Sequence, residues 1–219
     1  APENPDNPLD RWILSETERL VDEVTANLES YDIQRAIQPL ENFIDILNNW
    51  YIRRSRRRFW RSESDKDKEQ AYQTLYSVLM KLVHVAAPFV PFITEEIYLN
   101  LKPEQGGDSI HLNDFPVAEK SLRDIDLEYK MEVTRSAVSM GRALRSMHSI
   151  KTRQPLKAMY LVTRNDRERK VLREMEDMVR DELNVKEIIF RENEEELVEF
   201  SAKPNYRILG KELGKDMKA

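Results

Sequence analysis

The sequence predicts a mainly α-helical protein, in which a helical bundle is followed by a small α+β unit. Glycine is scarce, at 5 of 219 residues, which disfavours sandwiches, barrels and glycine-loop nucleotide folds. Through most of the first 150 residues, apolar side chains recur at steps of three and four, the period of a helix packed on one face. After residue 150 the pattern changes to short apolar runs typical of strands, with one helical stretch among them.

The first two helices are expected over residues 8–29 and from about residue 32. The first has an apolar stripe from Trp12 to Leu28. Asp32 is a typical N-cap for the second, because its carboxylate can accept free amide hydrogens. Pro39 lies inside this helix and predicts a bend near Arg35. The predicted inward seam consists of Ile33, Ile37, Leu40, Ile44, Leu47 and Tyr51.

Three more helices complete the predicted bundle and lead out of it. The next one ends at Pro88, and a shorter one starts at Pro91 with Ile93, Ile97 and Leu101 as its apolar residues. A long helix is expected over residues 126–147. Its predicted core-facing residues are Val133, Ala137, Met140, Leu144 and Met147.

The remainder of the chain is expected to form the α+β unit. Residues 157–163, 185–191 and 197–202 are predicted strands, and residues 166–183 a predicted helix. We therefore assign residues 1–126 to the helical bundle and residues 127–219 to the long helix and the α+β unit, with the join near residues 117–126. If the long helix packs into the bundle, the boundary moves to about residue 150.

Composition and motifs give no sign of catalysis. His84, His111 and His148 share no metal-ligand spacing, and the sequence contains neither a GxSxG elbow nor a Walker loop. We therefore predict no catalytic residue and no metal site. The absence of cysteine fits a reducing cytoplasm, and no apolar run approaches the roughly 20 residues of a membrane span. The missing initiator methionine suggests a piece of a longer protein.

Residues 50–60, Trp-Tyr-Ile-Arg-Arg-Ser-Arg-Arg-Arg-Phe-Trp, are the most unusual segment. Arginine binds phosphate oxygens with two parallel hydrogen bonds, and aromatic rings stack on bases, so the segment points to nucleic acid, and to RNA before DNA. The alternative is a solvated helix face with aromatic core anchors. Successive helical residues differ by about 100°, so we expect two or three arginines to contact phosphates and the others to pair with acids or solvent. The five are Arg53, Arg54, Arg56, Arg57 and Arg58.

The aromatic residues of this segment have separate expected roles. Trp50 and Tyr51 continue the apolar seam, so they are expected in the core. Phe59 and Trp60 lie beyond the seam. Trp60 either stacks on a base or packs under the next helix, and we expect packing.

Several stretches, in this order, resemble the anticodon-binding helical domain of class I aminoacyl-tRNA synthetases of the isoleucine/valine/leucine group. They are residues 10–15 (DRWILS), 49–60 (NWYIRRSRRRFW), 87–98 (APFVPFITEEIY) and 109–112 (SIHL). The arginine cluster followed by Phe-Trp is most similar to isoleucyl enzymes. Residues 150–156, 182–187 and 203–215 resemble the segment that follows this domain in those enzymes.

The resemblance implies a parent enzyme that charges tRNA(Ile) with isoleucine, using ATP and magnesium. The ATP-handling HIGH and KMSKS signatures are missing from this sequence, so this piece is expected to bind no cofactor and to be inactive alone. Its implied partners are tRNA(Ile) and the rest of the synthetase chain, in a cytoplasmic monomer that contacts no membrane. The candidate tRNA-binding residues are the five arginines, Trp60, and a second basic set consisting of Arg142, Arg145, Lys151 and Arg153.

Two alternatives remain open from the sequence. The chain could be the equivalent region of a valyl or leucyl enzyme. It could also be a non-enzymatic helical scaffold whose arginine cluster docks an acidic protein, with the second basic set as a solvated surface.

Overall fold

The computed structural model describes residues 5–61, 65–163 and 165–192. The helices are α1 (Pro8–Glu29), α2 (Ile33–Ile46), α3 (Arg53–Arg61), α4 (Asp65–Ala86), α5 (Pro91–Leu101), α6 (Ile125–Met147), α7 (Asp166–Glu174) and α8 (Glu176–Leu183). A π-helical segment, Leu47–Ile52, joins α2 to α3, and two short 3₁₀ turns, Ile110–Leu112 and Lys120–Leu122, lie between α5 and α6. The two strands are β1 (Leu156–Val162) and β2 (Val185–Arg191). The mainly helical class with a small α+β part is confirmed.

The chain divides into two compact units, Ala1–Glu132 and Val133–Ala219, so the division falls within α6. No helix in the described residues is long and apolar enough to cross a bilayer.

In the first unit, α1 is the central helix. The Asn7 side chain accepts the amide hydrogen of Leu9 at 2.9 Å, and Pro8 takes the first helical position, where no amide donor is needed. The predicted stripe is confirmed, since Trp12, Ile13 and Val24 are fully buried. The helices α2 and α4 both contact α1.

The start of α2 is confirmed, but its predicted seam is half wrong. The Asp32 carboxylate accepts the amide hydrogen of Arg35 at 3.0 Å, and the helix continues through Pro39. The side chains of Ile33, Ile37 and Ile44 are exposed. The buried residues are Ala36, Leu40, Phe43 and Ile46. Both stripes have helical spacing, and α1 packs on the one that carries the aromatic ring of Phe43, a larger apolar surface to bury.

Apolar residues are also exposed on the two later helices. On α5 the buried side chains are Thr94 and Tyr98, while Ile93 and Ile97 are exposed. On α6 the predicted Met140, Leu144 and Met147 lie outside, with exposed fractions of 58%, 55% and 77%. Ala137 is buried as predicted, and the buried face of α6 in the second unit also contains Val138, Gly141 and Arg145.

The small residues of α6 explain its orientation. A Cβ atom on Gly141 would lie 2.4 Å from Cδ1 of Leu183, so this face allows α8 to approach closely. We expect Gly141→Ala to lower the free energy of unfolding by about 1–3 kcal/mol, because overpacking outweighs the better helix propensity of alanine. Urea unfolding followed by circular dichroism measures the effect, with the exposed Ser139→Ala as control. A Gly141→Ala variant that is more stable than the parent would show that Leu183 moves aside freely.

The second unit is a parallel β-α-α-β arrangement. Strand β1 pairs with β2 in a register that runs from Leu156↔Val185 to Val162↔Arg191. The strands predicted over 157–163 and 185–191 are confirmed. The single helix predicted over 166–183 is wrong, because the backbone leaves helical geometry at Met175 and separates α7 from α8. The strand predicted over 197–202 and the motif at 203–215 lie outside the described residues.

Candidate nucleic-acid interface

Four exposed side chains follow one face of α3 at helical spacing. They are Arg53, Arg56, Arg57 and Trp60, and we call this set the α3 ridge. Residues three, four and seven positions apart lie on the same side of a helix, so the sequence itself aligns them. The inner face of α3 carries Ser55 and Phe59, both buried.

The π-helical segment and α4 hold the ridge in place from beneath. Trp50 and Tyr51 are 5% and 0% exposed, so their predicted place in the core is confirmed. Arg53 donates from Nε to the carbonyl of Asn49 at 2.7 Å and lies 6.0 Å from the ring centre of Trp50. Phe59 packs against the ring of Tyr72, with 5.2 Å between ring centres. A rigid base is therefore present under the exposed cations.

Trp60 projects into solvent, so the expectation that it packs under the next helix is wrong. Its side chain is 70% exposed and meets Phe59 edge to face at 6.3 Å. Its neighbour Phe59, 4% exposed, is the residue that packs in the core. The exposed indole is thus available as a stacking surface beside the ridge arginines.

Arg58, next to the ridge, pairs with acids inside the protein, as the sequence predicts for some of the five arginines, and its contact with phosphate stays a prediction. Its Nη1 and Nη2 atoms each donate to one Asp10 oxygen at 2.7 Å. Its Nε donates to the Asp67 carboxylate at 3.0 Å. The hydroxyl of Tyr51 also donates to Asp10, at 2.7 Å. The Arg58 side chain is 11% exposed and that of Asp10 0%, so the guanidinium donors point inward to these acids.

We call Asp10, Tyr51, Arg58 and Asp67 the Arg58 network. Burial alone would lower the pKa of Arg58, but the bonds to Asp10 and Asp67 outweigh it and raise that pKa. Burial first, and then the charge of Asp10, raise the pKa of the Tyr51 hydroxyl, so it stays protonated and donates. The network ties α1, the π-helical segment, α3 and α4 together. Sequence reasoning missed Asp10 and Asp67, because each reads as an ordinary acid near a helix start.

The second basic set is also divided between the interior and the surface. Arg145 is 5% exposed, and its donors bond the carbonyls of Lys151, Gln154, Leu183 and Asn184 at 2.6–3.2 Å. These bonds use the guanidinium inside the second unit, and its contact with tRNA stays a prediction. Arg142 is paired with the buried carboxylate of Glu182. Lys151 and Arg153 are exposed on the turn that follows α6, and Arg54 of the first set is half-buried.

Residues 10–160 match a family model described as the anticodon-binding domain of tRNA ligase. The chain belongs to this family. The matched range contains the α3 ridge, the Arg58 network and both exposed residues of the second basic set. This anticodon-binding domain therefore presents two exposed basic groups, one in each compact unit.

Curated relatives of this anticodon-binding domain are described as isoleucine–tRNA ligases. The chain is 59% identical to the protein of Treponema denticola over 212 residues and 54% identical to that of Treponema pallidum strain Nichols over the same length. It is 45% identical to the protein of Protochlamydia amoebophila over 216 residues. These matches cover 97–99% of this chain but only 19–21% of the relatives, so the chain spans about a fifth of their length.

Proposed function

We propose that this chain is the tRNA-binding part of an isoleucine–tRNA ligase, and that it holds the anticodon arm of tRNA(Ile). In this proposal the longer protein joins isoleucine to tRNA with ATP and magnesium, as a monomer in the cytoplasm. The family match and the isoleucine–tRNA ligase relatives support it. The observation that carries it is the α3 ridge, which aligns three exposed arginines with an exposed tryptophan.

The chemistry of the ridge suits RNA better than a generic anion. The whole chain has a net charge of −5, so a local group of cations is needed to attract a polyanion. Arg56 and Arg57 extend into solvent, where their forked donors can bind phosphate oxygens. Trp60 adds a flat apolar ring that can stack on an unpaired base of a loop. Phosphate contacts would position the RNA, while stacking would favour its single-stranded part.

The main competing function is a scaffold whose ridge docks an acidic protein surface. Both functions use the same arginines, but only RNA binding predicts a steep, linear dependence of log affinity on log salt from counterion release. A valyl or leucyl enzyme is a second alternative, and all the relatives quoted above are described as isoleucine–tRNA ligases.

We expect the double variant Arg56→Ala/Arg57→Ala to flatten the salt dependence of tRNA binding. If each arginine neutralises one phosphate, the slope of log affinity against log salt falls by roughly 1.4 to 1.8. Cognate and non-cognate tRNA should weaken alike, because phosphate contacts carry no sequence information. The measurement is binding of tRNA(Ile) and one other tRNA to the 219-residue chain across a salt series.

The matched control is Arg35→Ala on α2, whose side chain is 82% exposed and far from the ridge in sequence. It should leave the slope unchanged. An unaltered slope in the double variant, with both proteins folded, would remove the ridge from the RNA interface and favour the scaffold.

We also predict that the 219-residue chain alone catalyses no isoleucine-dependent pyrophosphate exchange. Its sequence contains no HIGH or KMSKS signature and no phosphate-binding loop. The exchange assay on the purified chain checks this, with full-length ligase as positive control. Measurable exchange by the isolated chain would contradict the assignment of catalysis to other parts of the protein.

A further inference from the structure

The outer face of α5 is an unusually apolar surface for a helix at the edge of a charged protein. Phe92 is 90% exposed, Ile93 56% and Ile97 38%. Ile93 and Ile97 are one helical turn apart, and Phe92 adjoins them, so the three form one patch. We call it the α5 patch. Contiguous exposed apolar residues of this kind mark contact surfaces.

The inner face of α5 already packs against the first unit, so the α5 patch is not the face by which this helix joins the core. Tyr98 is 3% exposed and packs with Val83, Ala87 and Ile110. The Glu95 carboxylate accepts the hydroxyl of Ser109 at 3.0 Å and the amide hydrogen of Ile110 at 2.9 Å. These contacts fix the rotation of α5 and hold Phe92 and Ile93 outside. A helix that is apolar on two sides is typically buried on both.

The charge around the patch argues against RNA as its occupant. None of residues 87–101 is lysine or arginine, and Glu96 is exposed on the same side of α5 as Phe92. A helix that presents a carboxylate and contributes no lysine or arginine offers no charge to neutralise a phosphate backbone. The occupant is therefore expected to be an apolar protein surface.

We propose that the α5 patch docks the remaining part of the isoleucine–tRNA ligase polypeptide. This inference rests on the proposed function, which makes the chain one part of a longer enzyme. The chain covers only 19–21% of its isoleucine–tRNA ligase relatives, so about four-fifths of such a polypeptide is available to cover the patch. The tRNA-binding ridge on α3 carries the cations, and the cation-free patch on α5 makes the contact with protein.

Hydrogen exchange in the full-length ligase tests the docking directly. The amides of Phe92 and Ile93 lie in the first turn of α5, where the helix itself offers no acceptor, so in open solvent they exchange at nearly the rate of an unstructured peptide. Docking is expected to slow them roughly tenfold or more. Replacing Phe92 and Ile97 together by Asp should restore fast exchange. Exchange that is already fast in the wild-type ligase overturns the proposal.

The same full-length variant gives a second, functional readout. Isoleucine-dependent pyrophosphate exchange should be unchanged, whereas kcat/KM for isoleucyl-tRNA formation should fall roughly 10- to 100-fold, because the bound tRNA is no longer held in register with the rest of the enzyme. Tyr31→Asp, at a residue that is 92% exposed in the turn before α2, is the control and should change neither. The milder Phe92→Ala should give a smaller loss in the same direction.

Each other outcome overturns the docking proposal in a recognisable way. A wild-type dimer that dissociates in the Asp variant, seen by sedimentation, assigns the patch to a second copy. Weaker tRNA binding with a flatter salt slope assigns it to RNA. If the wild-type full-length protein charges no tRNA with isoleucine, the proposed function fails instead, whatever the exchange at α5 shows.

Discussion

Replacing Arg58 by Ala is expected to lower the free energy of unfolding of the first unit by about 3–5 kcal/mol, the usual loss when one partner of a buried ion pair is removed. The change leaves the carboxylate of Asp10, whose side chain is 0% exposed, with the hydroxyl of Tyr51 but without a countercharge. It also removes the bonds to Asp67 that attach α3 to the start of α4.

Tryptophan fluorescence during urea unfolding measures this effect, since Trp12, Trp50 and Trp60 all lie in the first unit. The matched control is Arg57→Ala, one residue away but exposed, which should change stability by less than about 1 kcal/mol. The Asp10→Asn/Arg58→Met double variant should be less destabilised than the sum of its single variants, because neither charge is then left alone. Equal, small losses for Arg57→Ala and Arg58→Ala would show that the network contributes little.

Arg57 and Arg58 are adjacent in the sequence but differ in burial, and the sequence alone did not predict that difference. The pattern of residues 50–60 predicted an arginine-rich helix with Trp50 and Tyr51 in the core, and it predicted that some arginines would pair with acids. Which arginine does so depends on Asp10, 48 positions earlier, and Asp67, nine positions later. Periodicity describes only neighbours on one helix, so it contains no information about such long-range pairs.

The helix boundaries were more predictable than the faces. Caps and prolines are local signals, and Asp32 and Pro91 start α2 and α5 as expected. The buried face was misjudged on α2 and α6, because each carries two apolar stripes and the choice between them is made by the packing partner. On α6 the buried face is the one with Gly141, which lets Leu183 of α8 approach closely. The larger Met140 and Met147 stay exposed. On α5 the exposed stripe is the surface to which we assign a docking role.

Arg145→Met is expected to destabilise the second unit by about 3 kcal/mol or more, even though methionine fills similar volume. The guanidinium bonds two carbonyls in the turn after α6 and two at the end of α8, and buried polar groups that lose their partners cost about 1–3 kcal/mol each. It also places a positive charge at the C-terminus of α8, where the helix dipole favours it. Asn184, in the left-handed conformation at φ 48°, ends that helix, and its carbonyl also accepts the amide hydrogen of Leu156 in β1.

Hydrogen exchange is the measurement that separates this unit from the first. In Arg145→Met, amides of β1 and α8 should exchange faster, while those of α1 and α4 stay unchanged. Arg145→Lys should recover little, because one ammonium cannot reach carbonyls that the forked guanidinium spans. The exposed Arg153→Ala is the control for stability and should leave exchange unaltered. If Arg145→Met kept normal exchange but flattened the salt slope of tRNA binding, the buried arginine would have to move out to meet the RNA. Its four bonds to carbonyls predict the opposite, a changed stability with an unchanged slope.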